Sequence, residues 1–271
     1  MDFHRTLEQI LRTADPSEKI AAFRTFYAAY REAKTVFEPE FEPATFEKPS
    51  YAAVCEVVSP QDVPRRKTPA TKEGQALLLH AITHIEYSAI DLALEHAYRF
   101  AGMPGAYYDD WLEVAEDECR HFEMLNALME ELGSRYGDFP VHAALFEAAK
   151  QTATLLERMA VIPRYFEANG LDATPQILQK LSHLRGNAMV ERIVGALGVI
   201  LEEEVDHVRK GDRWFAYACE KADVDKSVYF DIIDRFCSGG YPRQKFLNVD
   251  ARKAAGFSCS ELNRISSGEV C

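Results

Sequence analysis

The chain has 271 residues, of which 47% are hydrophobic and 27% are charged, and its formal net charge is −12 at pH 7. This length and hydrophobic fraction suffice for one large core or for two smaller ones. The acidic balance disfavours broad, nonspecific binding to nucleic acid, because the phosphate backbone is itself anionic.

The sequence offers no signal for export or for membrane insertion. Its first residues, MDFHRTLEQI, lack the basic and apolar regions of a secretory signal. The sequence contains no run of 18 apolar residues, so we expect no membrane-spanning helix. The six cysteines contain no C-x-x-C pair, and their scatter is typical of reduced thiols. We therefore expect a cytoplasmic protein without a membrane partner.

The first predicted elements are two amphipathic helices at residues 2–13 and 16–35. Asp15 and Pro16 provide a cap and a first-turn proline for the second helix. Residues 37–69 follow with six prolines and little periodicity, which predicts a long connection that wraps the core.

Two short stretches of this connection stand out by composition. YAAVCEVV at 51–58 is rich enough in β-formers to suggest a strand, but it is isolated. Arg65, Arg66 and Lys67 form the most compact basic cluster of the chain. We interpret this cluster as part of a solvated loop rather than as a contact for a polyanion.

Four long helices dominate the middle of the chain. They are predicted at 71–100, 107–133, 141–169 and 188–211. Short Gly- or Pro-containing turns separate them, which is typical of an all-α helix bundle. ATPQILQKLSHL predicts a further helix with Thr174 as its cap and Pro175 in its first turn, and another helix is predicted near 224–237.

These elements predict three parts within a single globular unit. Residues 1–70 form N-terminal helices and a loop packed on the bundle. Residues 71–212 form the four-helix bundle, and residues 213–271 form a C-terminal helix and a covering tail.

Three of the long helices carry charged residues where apolar ones are expected. Glu86 lies within a segment that is apolar almost all round. Glu118 and His121 continue the apolar stripe of the second helix, and Glu204 and His207 continue that of the fourth. A carboxylate buried in this way destabilises the fold unless a partner compensates its charge.

Metal ligation would supply that compensation. ECRH and EVDH each place a glutamate three residues before a histidine, so both side chains of a pair lie on one helix face. Two such pairs, together with one glutamate from each of two further helices, form the ligand set of di-iron carboxylate bundles. The predicted ligands of two metal ions are Glu86, Glu118, His121, Glu167, Glu204 and His207.

Helix register favours Glu167 over Glu157 as the ligand from the third helix. Antiparallel neighbours bring two residues level when both are equally far from the turn. Around Gly186, Glu167 lies 19 residues before the turn and Glu204 lies 18 after it. Glu157 would be about 15 Å out of register. The register argument assumes that residues 141–184 run in one direction. If the third helix instead turns back at Gly170, Glu157 is again a candidate ligand beside Glu167.

A single Glu-x-x-His on a helix is most often an ordinary surface or core pair. Two of them on apolar stripes, each preceded by a buried-looking glutamate 32 or 37 residues upstream, favour metal ligation instead. We interpret His80 and His84 as core histidines hydrogen-bonded to neighbours, and Tyr87 as a packing residue. Asp91 is predicted to bind a ligating imidazole or an arginine such as Arg120.

Several stretches resemble a bacterial ferritin-like family of unknown function. They are HAITHIEYSAIDLALEHAYRF, DWLEVAEDECRHFEML, YGDFPVHAALFEAA, RMAVIPRYFEANGLD and EVDHVRKGDRWF. The similarity covers residues 65–255 and implies a ferritin-like four-helix bundle with extra N- and C-terminal helices and loops. FEANG around Glu167 is also similar to the third-helix ligand region of tRNA-modifying di-iron hydroxylases, which favours Glu167 as a ligand.

The first functional hypothesis is an enzyme, a non-haem di-iron oxygenase or oxidase that uses O₂ to oxidise a small organic substrate. A substrate pocket beside the metals would be lined by residues such as Tyr87, Phe122 and Phe166. The chain contains neither a Gly-rich dinucleotide motif in a strand–helix context nor a ferredoxin-type cysteine run, so an external electron donor would be required. Iron, manganese and a mixed centre all accept these ligands.

Two alternatives remain open. A ferroxidase, a metal-storage protein or a peroxide scavenger would use the same ligands without an organic pocket. The extensions at 37–69 and 212–271 suit a shielded pocket, and they would equally suit the interface of a homodimer. A non-catalytic bundle is disfavoured, because unpaired buried carboxylates would destabilise it.

Overall fold

The computed structural model describes residues 1–64, 68–184, 186–236 and 244–271. Within these ranges 69% of the chain is helical and no β-strand forms, which confirms the all-α class. The strand-like stretch at 51–58 contributes to a 3₁₀ turn at Ser50–Ala53 and to one isolated bridge between Val57 and Val141. The basic cluster at 65–67 lies outside the described residues.

The chain divides into two compact units, Met1–Phe146 and Glu147–Cys271. This boundary lies inside the segment 71–212, whose assignment to one four-helix bundle stays a prediction. In the described part of the first unit, four α-helices precede the boundary. They are α1 (Phe3–Arg12), α2 (Pro16–Arg31), α3 (Lys72–Arg99) and α4 (Gly105–Glu131).

Local sequence signals explain where these helices begin. The side chain of Asp15 accepts a hydrogen bond from the backbone N–H of Glu18 at 3.0 Å, so the predicted cap of α2 is confirmed. Thr71 caps α3 in the same way by accepting from Gly74 at 3.1 Å. Between α3 and α4 the chain reverses at Gly102, whose φ of +73° favours glycine. The reversal lets the two helices pack along each other.

Helix α3 is the central apolar element of the first unit. By length and composition it could cross a membrane, but 83% of its most apolar 18-residue window is buried inside the protein. Leu79, Ile90 and Leu94 are fully buried in it. Such burial fits the core helix of a soluble protein.

Among its described residues, the second unit, which begins within α5, includes seven α-helices and one π-helical segment. In chain order they are α5 (Ala144–Gln151), α6 (Leu155–Val161), the π-helix (Ile162–Glu167), α7 (Ala168–Leu181), α8 (Ala188–Ala222), α9 (Val228–Phe236), α10 (Val249–Ala254) and α11 (Cys259–Ile265). A short 3₁₀ turn, Ser182–Leu184, follows α7.

The prediction of one continuous helix at 141–169 is wrong. The helix breaks after α5, and α6 starts at a capping box in which Thr154 accepts from the backbone of Glu157 at 3.2 Å. Oε2 of Glu157 accepts in return from the backbone N–H of Thr154 at 3.2 Å. Thr-x-x-Glu at 154–157 was the sequence signal for this start.

The prediction of a new helix capped by Thr174 is also wrong, because α7 continues through this position with Pro175 inside it. A proline removes the N–H that would bind the carbonyl four residues earlier, here that of Leu171. The side-chain amide of Asn248 donates to this carbonyl at 3.2 Å. A contact from 77 residues away therefore replaces the missing helical hydrogen bond.

Helix α8 extends 11 residues beyond its predicted end at residue 211. Gly211, the predicted last residue, lies inside the helix, and its lack of a side chain has a steric reason. A Cβ atom added to Gly211 would lie 2.2 Å from Cβ of Pro163. The glycine therefore permits close approach between α8 and the π-helix.

Candidate metal centre

Two neighbouring helices of the first unit bring three predicted ligands together. Glu86 lies on α3, and Glu118 and His121 lie one turn apart on α4. Their exposed fractions are 4%, 1% and 0%. All three residues therefore lie in the apolar interior, as the sequence predicts.

The imidazole of His121 lies between the two carboxylates. Its Nδ1 atom is 3.3 Å from Oε2 of Glu86 and 3.3 Å from Oε2 of Glu118. One ligand atom from each of the three residues lies within 4.8 Å of the others. This buried Glu/His group could hold a metal ion, since carboxylate oxygen and imidazole nitrogen are ordinary ligands of divalent transition metals.

The charges of the group also suit a cation. Burial alone would lower the pKa of His121, but hydrogen bonds and charges of Glu118 and Glu86 raise it to about 11. Even with His121 protonated, two carboxylates and one imidazolium sum to a charge of −1. A cation that replaced the imidazole proton would balance both carboxylates within the interior.

The second unit carries the other Glu-x-x-His pair on α8. Nδ1 of His207 lies 3.7 Å from Oε2 of Glu204, and the two side chains are 0% and 16% exposed. Oε2 of Glu204 is buried and accepts no hydrogen bond among the described residues. The pair thus repeats the carboxylate–imidazole spacing of Glu118 and His121 in a partly buried position.

The two candidates for the third-helix ligand have different surroundings. Glu157 is engaged in the capping box of α6, and its other carboxylate oxygen lies 3.9 Å from Arg235. Glu167 is the last residue of the π-helix and is partly buried. π-Helical turns occur frequently at functional sites, where they re-aim side chains. Ligation by Glu167 remains a prediction, and the local contacts of Glu157 give that residue a structural role.

The histidines of α3 are core residues, as predicted. Nε2 of His84 donates to the carbonyl of His142, while Nδ1 accepts from the hydroxyl of Tyr136, both at 3.0 Å. His80 accepts from the backbone N–H of Gly137 at 3.0 Å. Burial lowers the pKa of both histidines to about 4, so both are neutral near pH 7.

The prediction for Asp91 is wrong. Its carboxylate pairs with the ammonium of Lys19 and accepts from the hydroxyl of Ser50 at 2.7 Å. Lys19 is completely buried, and its charge is compensated there. Arg120, the predicted partner of Asp91, instead pairs with Asp117.

Sequence reasoning missed an anchor in the π-helix. Arg164 is fully buried, with ion pairs to Asp212 at 3.0 Å and Glu261 at 2.7 Å. Its guanidinium lies 4.4 Å from the ring centroid of Tyr229 and 4.7 Å from that of Phe257. These partners come from α8, α9, α11 and a loop, and Arg164 fixes the segment that ends at Glu167.

A cleft of about 590 Å³ opens in the first unit. Phe122 and Tyr136 line it, and their ring centroids are 5.4 Å apart. Tyr87 packs against both rings, at 5.7 and 5.3 Å. The hydroxyl of Tyr87 donates to the carbonyl of Ala14 at 2.8 Å, consistent with the packing role predicted for this residue.

Comparison with known proteins identifies relatives without an assigned activity. The model of a family described as "Protein of unknown function (DUF455)" matches residues 12–263. A protein of Haemophilus influenzae described as "Uncharacterized protein" is 37% identical over 275 aligned positions, which cover 97% of this chain and 93% of the relative. No solved structure matches the chain with significance.

Proposed function

The chain belongs to the DUF455 family, and we propose that it is a di-metal carboxylate protein that uses O₂ to oxidise a small organic substrate. Under this proposal its helices form a ferritin-like bundle around two iron ions, with manganese or a mixed pair as alternatives. An external donor supplies electrons.

The observation that carries the proposal is the position of His121 between Glu86 and Glu118, 3.3 Å from each. Two buried carboxylates beside one imidazolium leave a net charge of −1 in the interior, and an uncompensated buried charge destabilises the fold. The same atoms form a compact donor set of two oxygens and one nitrogen. The donor chemistry therefore fits a divalent metal.

We further propose that Glu167, Glu204 and His207 complete the centre. This step rests on the sequence, in which each half of the chain offers a Glu followed by a Glu-x-x-His pair. The 3.7 Å spacing between Glu204 and His207 supports it, because both groups are then available to one ion.

Reduced iron, when bound, supplies electrons and open coordination positions for the reduction of O₂. The protein's own groups prepare the site. Glu86 and Glu118 orient the imidazole of His121, which must lose its proton to act as a ligand. The buried apolar residues around them exclude water.

The cleft beside Phe122 and Tyr136 is the proposed entrance for the organic substrate. Phe122 directly follows the ligand candidate His121, and Tyr87 directly follows Glu86. Aromatic side chains next to both residues connect the cleft wall to the helices of the ligand group. A cleft of this size accommodates a small organic molecule.

Anaerobic reconstitution with ferrous iron tests the proposal. The purified protein is loaded, freed of excess iron, analysed for metal and then exposed to O₂ with and without a chemical reductant. About two irons per chain and O₂ consumption that continues only with reductant are expected. Many irons per chain with mineral growth would indicate storage, and the absence of bound metal would indicate a non-catalytic bundle.

A further inference from the structure

The cleft of the first unit is lined by more acidic than basic residues. Its described lining residues include four carboxylates and one guanidinium, which leave a formal charge of −3 at pH 7. The carboxylates belong to Asp15, Glu123, Glu130 and Asp138, and the guanidinium belongs to Arg135. The lining therefore has the opposite charge to a cationic ligand.

Two of the four carboxylates are already paired with cations. Glu123 accepts two hydrogen bonds from the guanidinium of Arg24, both at 2.9 Å. Oδ1 of Asp138 lies 3.5 Å from Nε of Arg135, whose side chain is 83% exposed. The basic residue of the cleft lining is thus paired with a neighbouring carboxylate.

The other two carboxylates have only neutral partners among the described residues. Asp15 accepts from the backbone N–H of Glu18 at 3.0 Å, and this bond holds the pKa of Asp15 below its usual value. Glu130 accepts from the side-chain amide of Asn126 at 2.8 Å. Within the described part of the chain, no basic side chain forms an ion pair with either carboxylate. Their charge is available to a ligand.

The remaining walls are apolar and are held in place by local contacts. The hydroxyl of Tyr136 bonds to Nδ1 of His84 at 3.0 Å, and the backbone N–H of Gly137 donates to His80 at 3.0 Å. A Cβ atom added to Gly137 would lie 2.8 Å from the carbonyl oxygen of Val54, so the two backbones approach closely. The apolar lining residues are Pro16, Ile20, Val54, Phe122, Ala127 and Tyr136. Such a preformed wall suits a ligand with an apolar body.

The start of α2 also lies at the cleft, and a helix start attracts anions in general. Here the carboxylate of Asp15 already caps that start and supplies the negative charge. Arg135, which could bind an anion, is paired with Asp138. The cleft therefore favours a cation over an anion.

We propose that the cleft binds an organic cation, a molecule with a protonated amine and a small apolar body. Asp15 and Glu130 attract the ammonium group, and the apolar part packs beside Phe122 and Tyr136. The net charge of −12 steers cations towards the protein. This inference rests on the proposed function, because it names the substrate class of the proposed oxidation, but binding itself requires no metal.

Calorimetry on the metal-free full chain tests the proposal with three probes of similar size. Phenethylamine is cationic, phenethyl alcohol is neutral and phenylacetate is anionic. We expect the amine to bind about tenfold more tightly than the alcohol, and phenylacetate to bind most weakly. Added salt should weaken the binding of the amine and leave that of the alcohol unchanged.

Asp15→Asn and Glu130→Gln remove the two available charges with little structural change. Asparagine also caps helices, and glutamine retains an acceptor for the amide of Asn126. Each variant should weaken binding of phenethylamine about two- to fivefold and leave binding of phenethyl alcohol unchanged. Glu113→Gln is the matched control, since Glu113 is exposed on α4 and does not line the cleft.

The proposal is overturned if the amine binds no better than the alcohol, if phenylacetate binds best, or if none of the probes binds. Failure of the proposed metal centre gives a different result. Selective binding of the amine by a protein that takes up no iron would contradict the metal centre alone. Iron uptake with O₂ consumption, but without selectivity for the amine, would contradict the cation site alone.

Discussion

Nδ1 of His121 lies 3.3 Å from Oε2 of Glu86, although the two residues are 35 positions apart on different helices. Glu86 lies 16 residues before Gly102, and His121 lies 16 residues after Gly105. Equal distances from an antiparallel turn bring residues level, so this contact follows from helix lengths and turn position. The relationship makes the α3–α4 pair the most specific part of the proposed centre.

Glu118→Gln should reduce metal content at least tenfold, because the amide cannot supply the negative charge that a cation requires. Metal analysis after reconstitution measures the effect. Glu116→Gln is the matched control on the same helix, since Glu116 pairs with Arg24 at 3.0 Å. Equal metal content in the two variants would show that Glu118 is not a ligand.

Glu167→Ala should lower metal content clearly more than Glu157→Ala. The latter variant loses the capping box of α6 and should lose about 0.5–2 kcal/mol of unfolding free energy while it keeps its metal. Metal analysis and urea unfolding of both variants separate the two roles. The opposite order of metal loss would show that the register argument is wrong.

Acid stability should depend on His96, which is fully buried and packs 4.3 Å from Trp111. Desolvation and the charge of Arg99 lower the pKa of His96 to about 3, so the unfolded chain binds a proton first as the pH falls. Stability that is complete above pH 6.5 is therefore lost progressively towards pH 3. His96→Phe should reduce the loss of unfolding free energy between pH 7 and pH 4.5.

Neither ring nitrogen of His96 has a hydrogen-bond partner among the described residues, so this substitution removes no such bond. His84→Phe is a comparison variant, since it also removes a buried neutral histidine but one that has hydrogen-bond partners. It removes the bonds to Tyr136 and His142 and should cost about 1–3 kcal/mol already at pH 7. Urea unfolding at both pH values gives the comparison. If the wild type and His96→Phe lost the same unfolding free energy between pH 7 and pH 4.5, His96 would not be the cause of the acid sensitivity.

Asp91→Ala should destabilise the protein by about 3–5 kcal/mol without changing its metal content. The substitution leaves the completely buried ammonium of Lys19 without its carboxylate partner. The double variant Lys19→Met/Asp91→Leu should recover most of the lost stability, because it removes both charges. If a folded Asp91→Ala protein lost its metal, Asp91 would have to act on the ligand residues, as the sequence predicts.

The sequence predicts those features of the fold that depend on local patterns of apolar residues and turns. The bounds of α3 and α4 follow from apolar periodicity and from the turn at Gly102. The same periodicity predicted that Glu86, Glu118 and His121 would be buried. Their convergence then required only the geometry of two antiparallel helices.

Features that depend on distant residues could not be predicted in this way. Pro175 lies within α7 because Asn248 binds the carbonyl of Leu171, and no local pattern announces that contact. Gly211 lies within α8 because Pro163 approaches it, although its sequence context is typical of a helix end. Lys19 likewise shows no sign in the sequence of its ion pair with Asp91.

An anomalous difference map from crystals grown with iron or manganese tests the central claim most directly. We predict a peak at the metal's absorption edge within coordination distance of Glu86, Glu118 and Nδ1 of His121. No such peak should occur in crystals of Glu118→Gln. A well-ordered wild-type map with no anomalous density beside these three residues would contradict the metal centre.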